Sequence, residues 1–258
     1  MTFLSRILPL VLILAGLACG SPARAATSNQ TTPAIFPVDS VRTGMVGVGL
    51  TVFEGTRIDS FPITILGVLK GQRPGATLVL ARAQGAYLER TGIIAGMSGS
   101  PVYINGRLLG AVAYTWAFSK DPVGGITPIG EMLDLLPTGG TPPSEDTEGR
   151  LGSLDAEPGN ALSDPTAARP IATPLVLSGF TSDAIAYLDP WLRERGFVAG
   201  PGGGSVPGIS CESLVPGSAV GVQLIRGDWS ASAIGTLTYR DGDRVLAFGH
   251  PFSGMGWV

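Results

Sequence analysis

Residues 96–116 read GMSGSPVYINGRLLGAVAYTW. Asn105-Gly106 stands between two apolar, β-branched runs. Both residues tolerate positive φ, so the dipeptide predicts a type I′ hairpin turn joining two strands. Gly96 and Gly99 on either side of Ser98 let the backbone turn tightly just before the first of these strands. Pro101 opens that strand without needing to donate a ladder hydrogen bond.

The same strand-after-strand pattern extends from Val41 to about Pro137. GMVGVGLTVFEG, FPITILGVLKG and ATLVLARAQG each read as a strand, and PIGEMLDLL reads as a short amphipathic helix. Residues 138–175 are rich in Pro, Gly, Ser, Thr and acids and read as a linker or long exposed insertion. Residues 182–196 have apolar spacing near that of a helix, with Pro190 expected to kink or split it. GPGGGSVPG follows and reads as flexible. SAVGVQLIRG, SAIGTLTY and RVLAFGH then return to strand, the last after a turn at Asp241-Gly242. The expected domains are therefore a signal peptide at 1–25, a β-barrel domain at 41–137, a linker or insertion at 138–175, and a helix plus partial β domain at 176–258.

Composition agrees with this pattern. The 258 residues include 38 glycines and 21 prolines, and only 14% are charged, which suits turn-rich β structure rather than a helical bundle. The net charge of -3, with no Lys/Arg run, argues against nucleic acid as a partner. At the N-terminus Arg6 precedes ILPLVLILAGLACG, an apolar stretch too short to span a bilayer comfortably, and Ala23-Arg24-Ala25 then leads to Ala26. That layout predicts export, to the periplasm or outside the cell, with cleavage after Ala25. Lipoprotein anchoring through Cys19 ranks lower, because Leu17 lies one position too close to the cysteine. Cleavage leaves Cys211 alone, which excludes an internal disulfide. One histidine and one mature cysteine leave no His/Cys metal site, and no cofactor is expected. The chain stops eight positions after His250, in the middle of a strand-turn pattern, and reads as a fragment of a longer protein.

A serine hydroxyl is a weak nucleophile until a base removes its proton and the developing oxyanion is stabilised. Ser98 occupies the position of such a nucleophile, with the Gly96 and Ser98 amides available as an oxyanion hole. Ser100, nearer the strand, suits a structural hydrogen bond instead. Trypsin-like peptidases carry a GDSGGP nucleophile turn, then a hairpin, a strand and a closing helix; the same order is present here. The closer resemblance is to the SpoIVB peptidase family. It rests on GTRIDSFPITILGVLKG (55–71), LERTGIIAGMSGSPVYINGRLLGAVAY (88–114) and GTLTYRDGDRVLAFGHPF (235–252).

The resemblance implies a mostly β fold with short helices: a trypsin-like double β-barrel, incomplete or permuted. It implies a serine endopeptidase acting through an acyl-enzyme, with Ser98 as nucleophile and His250, the only histidine, as base. The substrate would be a protein or peptide, this chain itself among the candidates, in association with the cell envelope. Three features depart from the family. Ser98 precedes His250, although a triad is defined in space rather than by chain order. Gln84 stands near the place of the expected orienting acid, whose identity stays open among Glu89, Asp121, Asp228, Asp241 and Asp243. Met97 replaces the acid of GDSGGP, so activation by an ion pair to a new N-terminus is not available. A catalytically inactive scaffold or binding protein of the envelope is the alternative. A weaker third reading places an adhesion or assembly function in the 138–175 insertion.

Overall fold

The computed structural model describes residues 33–73, 76–116, 121–136, 168–202 and 214–251. The expected signal segment, both cysteines and most of the 138–175 stretch lie outside them. Six strands close the first barrel: β1 (Val46–Val52), β2 (Ile58–Arg73), β3 (Ala76–Ala83), β4 (Ser100–Ile104), β5 (Arg107–Trp116) and β6 (Val123–Pro128). Their order is β4-β1-β2-β3-β6-β5, and β5 pairs back onto β4 to complete the ring. The β4–β5 hairpin turns at Asn105 (φ 51) and Gly106 (φ 72), the two positive values a type I′ turn requires. β2 bends around the barrel through register shifts at Ile65/Gly67 and Lys70/Arg73.

Alternate residues of these strands point inward. Phe61, Ile63, Ile65, Val79, Ala81, Val102, Leu109, Val112 and Ile126 form one buried cluster. Each fully buried aliphatic side chain in it contributes roughly 1.5–3 kcal/mol. A short helix, α1 (Ala86–Thr91), follows β3 and leads toward the GMSGSP turn, and α2 (Ile129–Leu133) follows β6.

The second sheet contains β8 (Thr173–Ser178), β9 (Phe197–Pro201), β10 (Ala219–Ile225), β11 (Ser230–Asp241) and β12 (Arg244–Ala247). It is open, in the order β10-β11-β8-β9, with β12 also on β11. β8 and β9 run parallel, joined by the crossover helix α3 (Ser182–Glu194). Leu108 and Ala111 of β5 and Ile129 and Met132 of α2 pack with Tyr239 of β11 and Leu246 of β12, seating this sheet on the barrel. The architecture is thus mostly β, a closed six-strand barrel beside a half-barrel.

Two local expectations are corrected. Of the kink or split expected at Pro190, the split is absent: α3 is one helix through that residue. The carbonyl that loses its donor belongs to Ala186, an exposed residue, so it is open to solvent rather than stranded in the core. The C-terminal end of the expected insertion is strand: Ala168–Pro170 forms β7, paired with β5, and β8 starts at Thr173. The boundary expected at 175/176 therefore falls inside β8. Pro170 and Pro174 gave the segment its linker composition, but both sit near strand ends. Pro174 lies beyond Leu175, the last β8 residue in register with β11.

Candidate active site

Two consecutive turns build the loop that carries Ser98. Met97 N–H donates to Ile94 O at 3.2 Å, and Ser100 N–H donates to Met97 O at 2.9 Å. Gly96 (φ +94) and Gly99 (φ +95) hold the third position of each, where a positive φ is needed. Met97 is 1% exposed and sits in the barrel core. An apolar anchor thus stands where a GDSGGP turn has its acid. Gly99 N–H donates to Val112 O at 2.8 Å, fixing the turn to β5.

The far side of the turn is held by β11. Thr236 N–H donates to Ser98 O at 2.8 Å. Thr236 Oγ1 donates to Gly96 O at 2.8 Å, and Thr238 Oγ1 donates to Gly99 O at 2.7 Å. Both threonines are buried. The approach is so close that a Cβ on Gly99 would lie 2.0 Å from Thr236 O and 2.4 Å from Phe248 N. Sequence reasoning missed both threonines. Their only trace is a pair of hydroxyls two residues apart, hence on one face of an otherwise apolar strand.

His250 comes just after β12, on a tight bend. Gly249 N–H donates to Ala247 O at 2.7 Å around Phe248, whose φ is +65, a strained value for an aromatic residue. Phe248 is buried, and its ring lies over Gly235, where a Cβ would come within 2.5 Å of Phe248 Cε1. Thr127 Oγ1, from β6, donates to Gly249 O at 2.7 Å. The bend is therefore held by both sheets. It brings His250 Nε2 to 2.5 Å from Ser98 Oγ, across 152 residues of sequence.

The remaining contacts of the pair define its protonation. Nδ1 lies 2.9 Å from Pro251 O, an acceptor only, so Nδ1 carries the proton of the neutral ring. That leaves Nε2 unprotonated and facing Ser98 Oγ. Burial lowers the imidazole pKa from its usual value, against the opposing effect of the backbone at Pro251 and Ile171. Ser98 is fully buried, and its Oγ is also 2.7 Å from Phe248 O. Tyr114 meets the imidazole edge-on, with ring centroids 6.4 Å apart.

The proposed oxyanion amides lie on the same loop, and among the described residues neither Gly96 N–H nor Ser98 N–H donates to a protein acceptor. Ser100 is buried, and its Oγ has no partner among those residues, so the structural hydrogen bond expected of it is not seen. Of the acids considered for orienting His250, Asp121 pairs with Arg82 at 3.0 Å and Asp241 with Arg244 at 3.1 Å. Glu89 accepts from Gly85 N–H at 3.3 Å. Among the described residues no carboxylate, Asp228 and Asp243 included, forms an ion pair with His250. Gln84 is engaged through its backbone, donating to Pro62 O at 2.9 Å.

Neither a curated protein nor a solved structure matches the chain. Residues 19–133 match the family model described as SpoIVB peptidase S55, a span that takes in the closed barrel, the Ser98 turn and α2, and ends well before His250. Over that span, a little under half of the sequence, the chain is similar to the SpoIVB peptidase S55 family.

Proposed function

We propose that this chain is an exported serine endopeptidase of the SpoIVB type, cleaving protein or peptide substrates through an acyl-enzyme. The observation that carries the reading is the 2.5 Å approach of Ser98 Oγ to His250 Nε2. Ser98 attacks the scissile carbonyl as His250 takes its proton, and the imidazolium then protonates the leaving amine. The Gly96 and Ser98 amides receive the oxyanion. The pair acts as a dyad, with the Pro251 carbonyl at Nδ1 and, among the described residues, no carboxylate paired with the imidazole. The lowered pKa of His250 keeps it neutral, and so able to accept a proton, at pH 7. Export rests on the signal layout of residues 1–25.

The lack of a carboxylate at His250 among the described residues and the full burial of Ser98 favour a second reading, a protein that keeps the barrel as an inactive envelope scaffold. A fluorophosphonate probe separates the two. The peptidase reading expects covalent labelling, lost in Ser98→Ala and strongly reduced in His250→Ala. Absence of labelling in folded wild-type protein, with no cleavage of unfolded protein substrates, would leave only the scaffold.

A further inference from the structure

β5 runs past the nucleophile turn. β4 begins at Ser100, opposite Val112, so Ala113–Trp116 lie beyond the reach of β4 along that edge. On the opposite edge, Tyr114 and Thr115 are already paired with Gly125 and Gly124 of β6. The edge left open is taken by β7, in the antiparallel register Tyr114↔Pro170, Thr115↔Arg169 and Trp116↔Ala168. Ile171 N–H continues the ladder to Ala113 O at 2.9 Å. Followed along β5, Gly99 at Val112 is therefore succeeded directly by Ile171 at Ala113. The Ile171 side chain is 2% exposed and lies in the barrel core. Its backbone is close enough to the His250 imidazole to oppose the lowering of its pKa.

An extended peptide binds a sheet edge through main-chain hydrogen bonds, with alternate side chains filling pockets. Ala113–Trp116 is such an edge, and it leads to Ser98. Resting on the dyad reading above, we propose that β7 is a resident occupant of the substrate-docking edge. A substrate is an extended segment that adds antiparallel to Ala113–Trp116, with an aliphatic side chain in the place of Ile171, and it must displace β7 to reach Ser98. The occupant is short, and Pro170 has no N–H to give the ladder, so its hold depends on the buried Ile171 side chain. Apparent substrate affinity is reduced by the fraction of molecules in which β7 stays docked.

The test uses the full chain and a labelled synthetic peptide of residues 167–173. In a Ser98→Ala background, binding is read without chemistry. Ile171→Ala is expected to bind the peptide at least tenfold more tightly than the parent. With Ser98 present, the same substitution is expected to raise hydrolysis of an aliphatic peptide substrate by a similar factor. A disulfide between Thr115→Cys and Arg169→Cys, in a Cys19→Ala, Cys211→Ala background, is expected to abolish binding when oxidised and to restore it on reduction. This arm keeps the test decisive if Ile171→Ala fails to fold. Equal binding by the oxidised and reduced staple, or no gain in a folded Ile171→Ala variant, overturns the proposal. Displacement of β7 without any hydrolysis upholds the occupant and overturns the dyad instead.

Discussion

Thr236→Val removes one hydroxyl and keeps the shape of the side chain. Thr236 Oγ1 is 2.8 Å from Gly96 O, and the residue is 2% exposed. Without it the Gly96 carbonyl loses its donor while still shielded by β11. Stranding a buried acceptor costs about 1–3 kcal/mol, and because Gly96 is only half-buried the expectation is the lower part of that range. For a chain of this size that is a fall in Tm of roughly 2–8 °C. The Thr236 N–H bond to Ser98 O survives, so the loop stays attached at Ser98 and loosens at Gly96. Loss of a whole oxyanion donor costs about 10²–10³ in kcat. A loosened Gly96 should cost less, about tenfold or somewhat more, with KM little changed. The assays are thermal unfolding, the rate of fluorophosphonate labelling, and steady-state peptide hydrolysis. Thr236→Ser restores the hydroxyl without the methyl and should recover most of the rate. Undiminished labelling in Thr236→Val, or a Thr236→Ser variant as slow as Thr236→Val, would refute the claim that β11 sets the nucleophile loop.

Gly99→Ala places a methyl 2.0 Å from Thr236 O at a φ of +95, so strain and overlap act together. Denaturant unfolding should show a loss of at least about 3 kcal/mol, and a loss below about 1 kcal/mol would mean that the loop and β11 are not in contact. His250 is the only histidine, so its ring signals in an NMR titration need no assignment. Their midpoint should lie below the ordinary value of about 6.5, and hydrolysis should fall on the acid side at that same depressed midpoint. The sign for stability follows. Between the folded pKa and the unfolded value the unfolded chain binds a proton that the native one does not. The His250 contribution is therefore fully present above about pH 6.5 and is lost as pH drops toward the folded pKa. A His250→Gln variant should lack that slope, and a wild-type midpoint above 7 would contradict the burial argument.

What could be read from the residues was local. Asn105-Gly106 needs only its own two φ values, so the hairpin was visible in the sequence; the turn expected at Asp241-Gly242 falls one residue on, at Gly242-Asp243 between the paired Asp241 and Arg244. Ser98 and His250 stood in motifs distinctive enough to be named, though nothing local says that they meet. Their approach depends on how the half-barrel seats on β5, through Leu108, Ala111, Tyr239 and Leu246. The less visible parts depend on partners distant in sequence. β7 has a linker's composition and becomes strand only because β5 offers an edge more than fifty residues away. Thr236 and Thr238 read as ordinary strand residues until the GMSGSP turn is placed against them. The trypsin-like pattern calls for a carboxylate at the imidazole, while this fold sets the backbone carbonyl of Pro251 against Nδ1.

The protons of the site can be counted from these contacts. Three acceptor-facing positions compete: Nδ1 against Pro251 O, Nε2 against Ser98 Oγ, and Oγ against Phe248 O. A neutral ring and a serine carry two protons between them, one on Nδ1 and one on Oγ. The Oγ proton can point to Nε2 or to Phe248 O, and either choice leaves one close contact without a hydrogen. An imidazolium would satisfy all three contacts at once. The backbone hydrogen bond at Pro251 pulls the His250 pKa up, while burial of the charge pulls it down, and burial is the larger effect. In the proposed dyad the resting site is thus a neutral imidazole, as base, beside a serine whose proton has two destinations. Transfer to His250 must leave the new alkoxide away from the Phe248 carbonyl, since two oxygens 2.7 Å apart with no proton between them repel. The strained φ of Phe248 makes this bend the element whose relaxation removes the competing acceptor. In the proposed mechanism the contact that competes with proton transfer is then the same one that the closed bend creates.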